Sequence, residues 1–131
     1  MSGAQILIVE DHPTMREAMR MVLEHEGFAI REAADGAAAL EMVREQQPDL
    51  VFLDLNIPGT SGSEVLRELK GNPETSDVRV IIVTATGEEG RDQVIRLGAD
   101  EYFTKPFSPL ALLRTVERVL AVPEGPTEPG E

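Results

Sequence analysis

The feature that most constrains the fold is a run of four apolar residues, 50–53, that leads directly into Asp54. Pro58 and Gly59 follow soon afterwards and prevent regular structure from continuing. A short apolar run bounded by turn residues predicts a strand that is buried on both faces of a sheet. Open α/β sheets form their sites at the carboxyl ends of such strands, so we expect Asp54 to lie at a site.

Two further runs repeat the pattern. Residues 6–9 precede Glu10 and Asp11, and residues 80–83 precede Thr84. Weaker strand patterns occur at residues 28–31 and 101–104, and a helical pattern follows each of the five predicted strands. This alternation predicts a doubly wound α/β fold with a five-stranded parallel sheet. The flavodoxin-like strand order 2-1-3-4-5 is the commonest solution for five strands.

Residues with capping chemistry stand at the expected helix ends. Pro13 suits the first position of the first helix, and Gly27 suits the position just after its end. Asp35 precedes the second helical pattern, and Ser61 with Glu64 has the spacing of a capping box that opens the third.

Length and composition favour one folded domain. The chain has 131 residues, of which 1–121 carry the alternating pattern. Residues 122–131 contain three Pro, two Gly and three Glu without periodicity, so we expect a disordered acidic tail or the start of a linker.

Charge and residue usage exclude several classes of function. The formal net charge of −12 argues against direct contact of this domain with nucleic acid, because phosphate backbones would repel it. Without cysteine the chain has neither disulfides nor thiolate metal sites. No apolar run approaches the length of a membrane span, and we expect a cytoplasmic protein with no membrane contact.

The predicted sheet gathers chemistry at one edge. Five side chains follow strands that end there: Glu10, Asp11, Asp54, Thr84 and Lys105. Crowded carboxylates raise one another's pKa unless a cation lies among them, and oxygen ligands favour Mg²⁺. A metal, a hydroxyl and an ammonium together can bind the oxygens of a phosphoryl group. A carboxylate oxygen of Asp54 could then be the attacking atom and form an acyl phosphate.

Four motifs occur in a characteristic order. They are Val9-Glu10-Asp11, Leu53-Asp54 with Pro58 and Gly59, Val83-Thr84-Ala85, and Phe103-Thr104-Lys105-Pro106-Phe107. In this combination the chain resembles the receiver domain of two-component response regulators, the CheY-like family, over residues 5–121. The resemblance implies that Asp54 accepts a phosphoryl group from a phosphohistidine of a sensor histidine kinase or phosphotransfer protein.

The resemblance also implies roles for the neighbouring residues. Asp11 and Asp54 would bind Mg²⁺ directly, Glu10 would act through water, and the backbone carbonyl of Asn56 would complete the protein ligands. Lys105 would pair with the phosphoryl oxygens, and Thr84 would donate a hydrogen bond to one of them.

Further implications of the resemblance concern the switch itself. Tyr102 occupies the position of an aromatic residue that turns inward when the threonine moves. The Lys105–Pro106 bond would be cis. The residue at Thr86, like Asn56, would tune how fast the acyl phosphate hydrolyses.

A signalling switch is therefore the favoured function. Phosphorylation would change the face formed by the fourth helix, fifth strand and fifth helix. The domain would not be an enzyme in the usual sense, although it would assist its own phosphorylation and slow autodephosphorylation. The downstream output domain or protein is unknown, and dimerisation on phosphorylation is left open.

Two alternatives belong to other classes. One is a receiver-like interaction module that works without phosphate. The other is a Mg²⁺-dependent phosphohydrolase of the haloacid dehalogenase type, whose nucleophile motif is Asp-x-Asp in the first strand. This chain instead has Asp54-Leu55-Asn56 in its third strand, with the acidic pair in the first, which disfavours the phosphohydrolase.

Overall fold

A computed structural model describes residues 3–84, 91–105 and 108–121. Strands and helices alternate through these residues. They are β1 (Gln5–Val9), α1 (Pro13–His25), β2 (Ala29–Ala33), α2 (Gly36–Glu45), β3 (Leu50–Asp54), α3 (Gly62–Gly71), β4 (Arg79–Thr84), α4 (Arg91–Arg96), β5 (Glu101–Thr104) and α5 (Pro109–Ala121).

The five strands form one parallel sheet in the order β2-β1-β3-β4-β5. The predicted doubly wound, flavodoxin-like fold is thereby confirmed. The register pairs Val9 with Leu53, and Asp54 with Val83. The carboxyl ends of β1, β3 and β4 consequently lie side by side at one edge of the sheet.

The three central strands of the sheet are buried on both faces, as the continuous apolar runs predict. In β3, Val51 and Leu53 belong to one hydrophobic core, whereas Leu50 and Phe52 belong to the other. The first core includes buried residues of α2, α3 and α4, namely Ala39, Val43, Val65, Leu66, Leu69 and Val94. The second includes buried residues of α1 and α5, namely Met19, Leu23, Leu112, Val116 and Val119.

The helix ends follow local chemistry. Pro13 is the first residue of α1, and Gly27 has a φ of 96° just beyond its end. The Asp35 side chain accepts a hydrogen bond from the Ala38 N–H at 2.8 Å, which caps α2. The Ser61 hydroxyl accepts one from the Glu64 N–H at 3.2 Å and caps α3. All four of these predicted boundary roles are confirmed.

The edge strand β2 lies slightly later than residues 28–31, which the sequence predicted. Phe28 is buried in the core beneath α1 and comes just before the strand, which runs from Ala29 to Ala33. Phe28 is therefore apolar because it packs in the core just before the strand, and it is not part of the strand itself. The fifth strand has the bounds that the sequence predicted.

Three expectations fall outside the described residues: the tail at 122–131, the residue at Thr86 and the Lys105–Pro106 bond. Within the part of the chain that is described, no helix has the length and apolarity to cross a membrane.

Candidate functional site

The edge of the sheet brings together the side chains that the sequence singled out. Glu10 and Asp11 directly follow β1, Asp54 ends β3, and Thr84 ends β4. Lys105 directly follows β5, and its N–H donates to the carbonyl oxygen of Thr84 at 2.8 Å. Glu10, Asp54 and Thr84 owe their positions to strands with two buried faces, so this part of the site has a rigid base.

Lys105 joins two carboxylates in the centre of the site. Its Nζ lies 2.8 Å from Asp54 Oδ2 and 3.0 Å from Glu10 Oε1. Glu10 and Asp54 are almost fully buried, with relative exposures of 2% and 4%. A shared ammonium offsets the repulsion and the desolvation of two such close carboxylates.

The burial and the charges perturb two ionisations. Burial raises the pKa of Glu10, and the nearby charge of Asp54 acts in the same direction, against the opposing effects of Lys105 and the His12 N–H. Burial alone would lower the pKa of Lys105, but hydrogen bonds and ion pairs with Asp54 and Glu10 outweigh it and raise that pKa. The folded protein therefore favours a protonated Lys105 and resists full ionisation of Glu10.

Asp11 adds a third carboxylate, which is exposed. One carboxylate oxygen from each of Glu10, Asp11 and Asp54 lies within 4.8 Å of the others. When all three are ionised, the single positive charge of Lys105 leaves two negative charges unmatched. Oxygen ligands with this charge suit a hard divalent cation such as Mg²⁺. The residues present therefore fit the metal that the sequence predicts.

A cavity of about 350 Å³ opens at these groups. The residues that line it lie near the carboxyl ends of β1, β3 and β5 and in the first turn of α1, and they are Asp11, His12, Met15, Asp54, Asn56 and Lys105. Asp54 is thus reachable from solvent although most of its surface is buried. The space and the surrounding charges suit a small anionic group held between a cation site and an ammonium.

Thr84 and Asn56 lie next to the central carboxylate. The Asn56 N–H donates to Asp54 Oδ1 at 2.9 Å, and its side-chain Nδ2 donates to Thr84 Oγ1 at 3.4 Å. Thr84 is fully buried. Asn56 therefore connects the Asp54 carboxylate to the Thr84 hydroxyl.

Tyr102 lies in the core on β5, behind the site. It pairs in register with Ile82 and packs in the same core as α4, and the Arg91 guanidinium carbon is 5.8 Å from its ring centre. Neither Tyr102 nor Thr84 is among the described residues that line the cavity. The structure therefore brings five of the predicted residues close together: Glu10, Asp11, Asp54, Asn56 and Lys105. Tyr102 lies in the neighbouring hydrophobic core and does not line the cavity.

Two residues that support the site were missed from the sequence. Arg16 Nη1 donates to the backbone carbonyl oxygen of Glu10 at 2.6 Å. A Cβ on Gly62 would lie 2.6 Å from the carbonyl oxygen of Asp54, so only glycine fits there without a shift. The available signals were an arginine in the first turn after the acidic pair and a glycine directly after a capping serine.

Comparisons with known sequences agree with this geometry. The family model for the response regulator receiver domain matches residues 6–117. The chain is 42% identical to the phosphate regulon transcriptional regulatory protein PhoB of Pseudomonas aeruginosa, over 92% of this chain and 53% of PhoB. It thus spans about half the length of that relative. It is also 39% identical to Protein PilH of the same species, over 90% of this chain and 98% of PilH.

A comparison with solved structures gives the same result. The receiver domain of a sensor histidine kinase from Pseudomonas aeruginosa has a TM-score of 0.84 and 27% sequence identity, covering 92% of this chain and all of that one. That structure has a magnesium ion coordinated in its active site cleft. The similarity therefore extends over most of the chain.

Proposed function

Since the chain belongs to the response regulator receiver family, we propose that it is a phosphorylation-controlled signalling switch with Asp54 as its phosphoacceptor. The observation that carries this proposal is the placement of Asp54 between the Lys105 ammonium, 2.8 Å away, and the carboxylates of Glu10 and Asp11. We place the receiver domain at residues 1–121.

The phosphoryl group comes from a phosphohistidine of a sensor kinase or phosphotransfer protein. A carboxylate oxygen of Asp54 attacks phosphorus, an O–P bond forms, and the P–N bond to imidazole breaks with its electron pair remaining on nitrogen. The product is an aspartyl phosphate and a free histidine. Because Lys105 already contacts the Asp54 carboxylate, its ammonium is placed to pair with the phosphoryl oxygens.

The acidic group would hold Mg²⁺ through Asp11, Asp54 and the backbone carbonyl of Asn56, with Glu10 acting through water. When bound, the ion supplies positive charge that offsets the charge on the transferring phosphoryl group. The buried Glu10 accepts a second hydrogen bond from Lys105 at 3.0 Å and so helps to fix the position of the ammonium beside Asp54. These same groups assist phosphorylation and the slow hydrolysis of the aspartyl phosphate.

The signal leaves the site through Thr84. In the resting geometry the Thr84 hydroxyl accepts a hydrogen bond from Asn56. A phosphoryl group on Asp54 offers the hydroxyl a charged acceptor, and the Thr84 side chain then moves toward it. Tyr102, packed beside α4, responds to that movement and changes the surface formed by α4, β5 and α5. A kinase acts upstream of this switch, and an output domain or protein reads the changed surface.

Phosphorylation by a small donor tests the proposal. The full chain is incubated with Mg²⁺ and acetyl phosphate, and its intact mass is measured. We expect the mass of one added phosphoryl group in the wild type and no addition in Asp54→Ala or in wild type treated with a chelator. Equal labelling of Asp54→Ala would contradict the assignment of the phosphoacceptor.

A further inference from the structure

We propose that Arg16 is a positioning residue that orients Asp11 for binding a divalent cation. This proposal rests on the proposed function. Arg16 belongs to α1, and helical side chains tilt toward the N-terminus of their helix. Its guanidinium therefore reaches back over the loop between β1 and α1, where Asp11 lies.

The guanidinium makes two contacts of different kinds. Nη1 donates to the Glu10 carbonyl oxygen at 2.6 Å, and Nε pairs with Glu32 Oε1 on β2 at 2.8 Å. The planar group thus joins the loop to the neighbouring strand, and Glu32 fixes its orientation. The Arg16 side chain is 21% exposed, so water competes weakly for these contacts.

The carbonyl that accepts from Arg16 belongs to the peptide plane joining Glu10 to Asp11. On the other side of Glu10, its N–H donates to the Ala33 carbonyl oxygen of β2 at 3.0 Å. Glu10 is therefore held by β2 from both sides, directly at its nitrogen and through Arg16 at its oxygen. Because a peptide unit is planar, fixing that oxygen also fixes the N–H and Cα of Asp11. The exposed side chain of Asp11 therefore extends from a backbone whose position is fixed.

The charge of Arg16 and its positioning contact have opposite effects on the affinity for a cation. A positive group near the acidic residues repels Mg²⁺, so loss of its charge alone would strengthen metal binding. Loss of a positioning contact would weaken it, since partners that orient metal ligands contribute about 10- to 100-fold in affinity. The sign of the change therefore separates the two roles.

Arg20 offers a matched control. It pairs with the other oxygen of the same residue, Glu32 Oε2, at 2.7 Å, and with Glu24 at 3.2 Å. Neither contact touches the loop between β1 and α1. Arg20→Gln removes the same charge and the same kind of ion pair as Arg16→Gln, but it leaves the Glu10 carbonyl bonded.

The test is a titration of the full chain with Mg²⁺. Binding is measured by calorimetry and by the shifts of the amide NMR signals of residues 10–12. We expect Arg16→Gln to weaken Mg²⁺ binding about 10-fold. Arg16→Lys keeps the charge without the planar fork, and we expect it to weaken binding too. Arg20→Gln should bind as tightly as wild type or more tightly.

Each contrary result has a distinct meaning. Equal or tighter binding by both Arg16 variants would overturn the positioning role while leaving the proposed function intact. A wild type that does not bind Mg²⁺ would overturn both proposals. If Arg16→Gln does not fold, Arg16→Lys decides the question on its own. The midpoint temperature of thermal unfolding, measured without metal, should fall by a similar amount in Arg16→Gln and Arg20→Gln, because each variant loses an ion pair with Glu32.

Discussion

The Lys105 ammonium lies 2.8 Å from the Asp54 carboxylate, and that carboxylate is only 4% exposed. The same ammonium is 3.0 Å from the buried Glu10. The residue proposed to receive the phosphoryl group is thus held, before any reaction, by the cation proposed to stabilise the product. The consequences of this pairing can be measured without a kinase partner.

Removing the shared cation should destabilise the fold. In Lys105→Met two buried carboxylates lose their common partner, so we expect the free energy of unfolding at pH 7 without metal to fall by about 3 kcal/mol. Urea denaturation measures the change. Saturating Mg²⁺ should restore part of it. As a control, Arg118→Met breaks the exposed pair with Glu101 and should lose less than about 1 kcal/mol. Equal losses in the two variants would contradict a special role for Lys105.

Removing the charge of Glu10 should stabilise the metal-free protein at neutral pH. The pKa of Glu10 is raised in the folded state. The contribution of Glu10 to the free energy of unfolding is therefore fully present below the ordinary pKa of 4.5, and it is lost as pH rises through the raised pKa. Glu10→Gln escapes this loss, and we expect it to be more stable than wild type by about 1 kcal/mol at pH 7.

The pH profile distinguishes this effect from a general one. The difference between Glu10→Gln and wild type should vanish near pH 4 in urea denaturation with a chelator present. Glu41→Gln, at an exposed position of α2, should match wild type at both pH values. A Glu10→Gln variant that is less stable than wild type at pH 7 would show that ionised Glu10 stabilises the fold.

The contact of Gly62 with the end of β3 predicts a position-specific cost. In Gly62→Ala the new Cβ would approach the Asp54 carbonyl oxygen and Leu55 Cα to 2.6 Å, and both are backbone atoms that move little. We expect a loss of about 2 kcal/mol in stability and slower labelling by acetyl phosphate. Gly71→Ala, in the same helix, meets nothing within 4 Å and should be neutral or stabilising. Similar behaviour of the two variants would contradict the contact.

Thr84 should separate phosphorylation from its readout. Thr84→Val removes the hydroxyl that accepts from Asn56 and leaves Asp54 and Lys105 in place. We expect labelling of Asp54 to persist, while the ring signals of Tyr102 in NMR spectra stop responding to phosphorylation or to beryllofluoride with Mg²⁺. A full Tyr102 response in this variant would show that the signal reaches β5 by another route.

Much of the fold and the site could be predicted from the sequence, because strand ends in a parallel sheet meet at one edge. The apolar runs before Glu10, Asp54 and Thr84 were enough to bring these residues together. The bounds of the fifth strand were also correct.

The remaining contacts depend on how helices sit on the sheet. The sequence does not say that Lys105 is shared between Asp54 and Glu10, because that choice follows from side-chain rotamers at three strand ends. Arg16 reaches Glu10 only because α1 starts directly above the loop. Gly62 is required only because α3 approaches the end of β3 so closely.

The central claim is tested most directly by locating the phosphoryl group. Wild type is treated with Mg²⁺ and acetyl phosphate, the acyl phosphate is reduced with borohydride, and the peptides are sequenced by mass spectrometry. We predict a single modified residue, Asp54, converted to homoserine, and no modification without Mg²⁺. A phosphoryl group on a serine or threonine, or a modified peptide that lacks Asp54, would contradict its role as the phosphoacceptor.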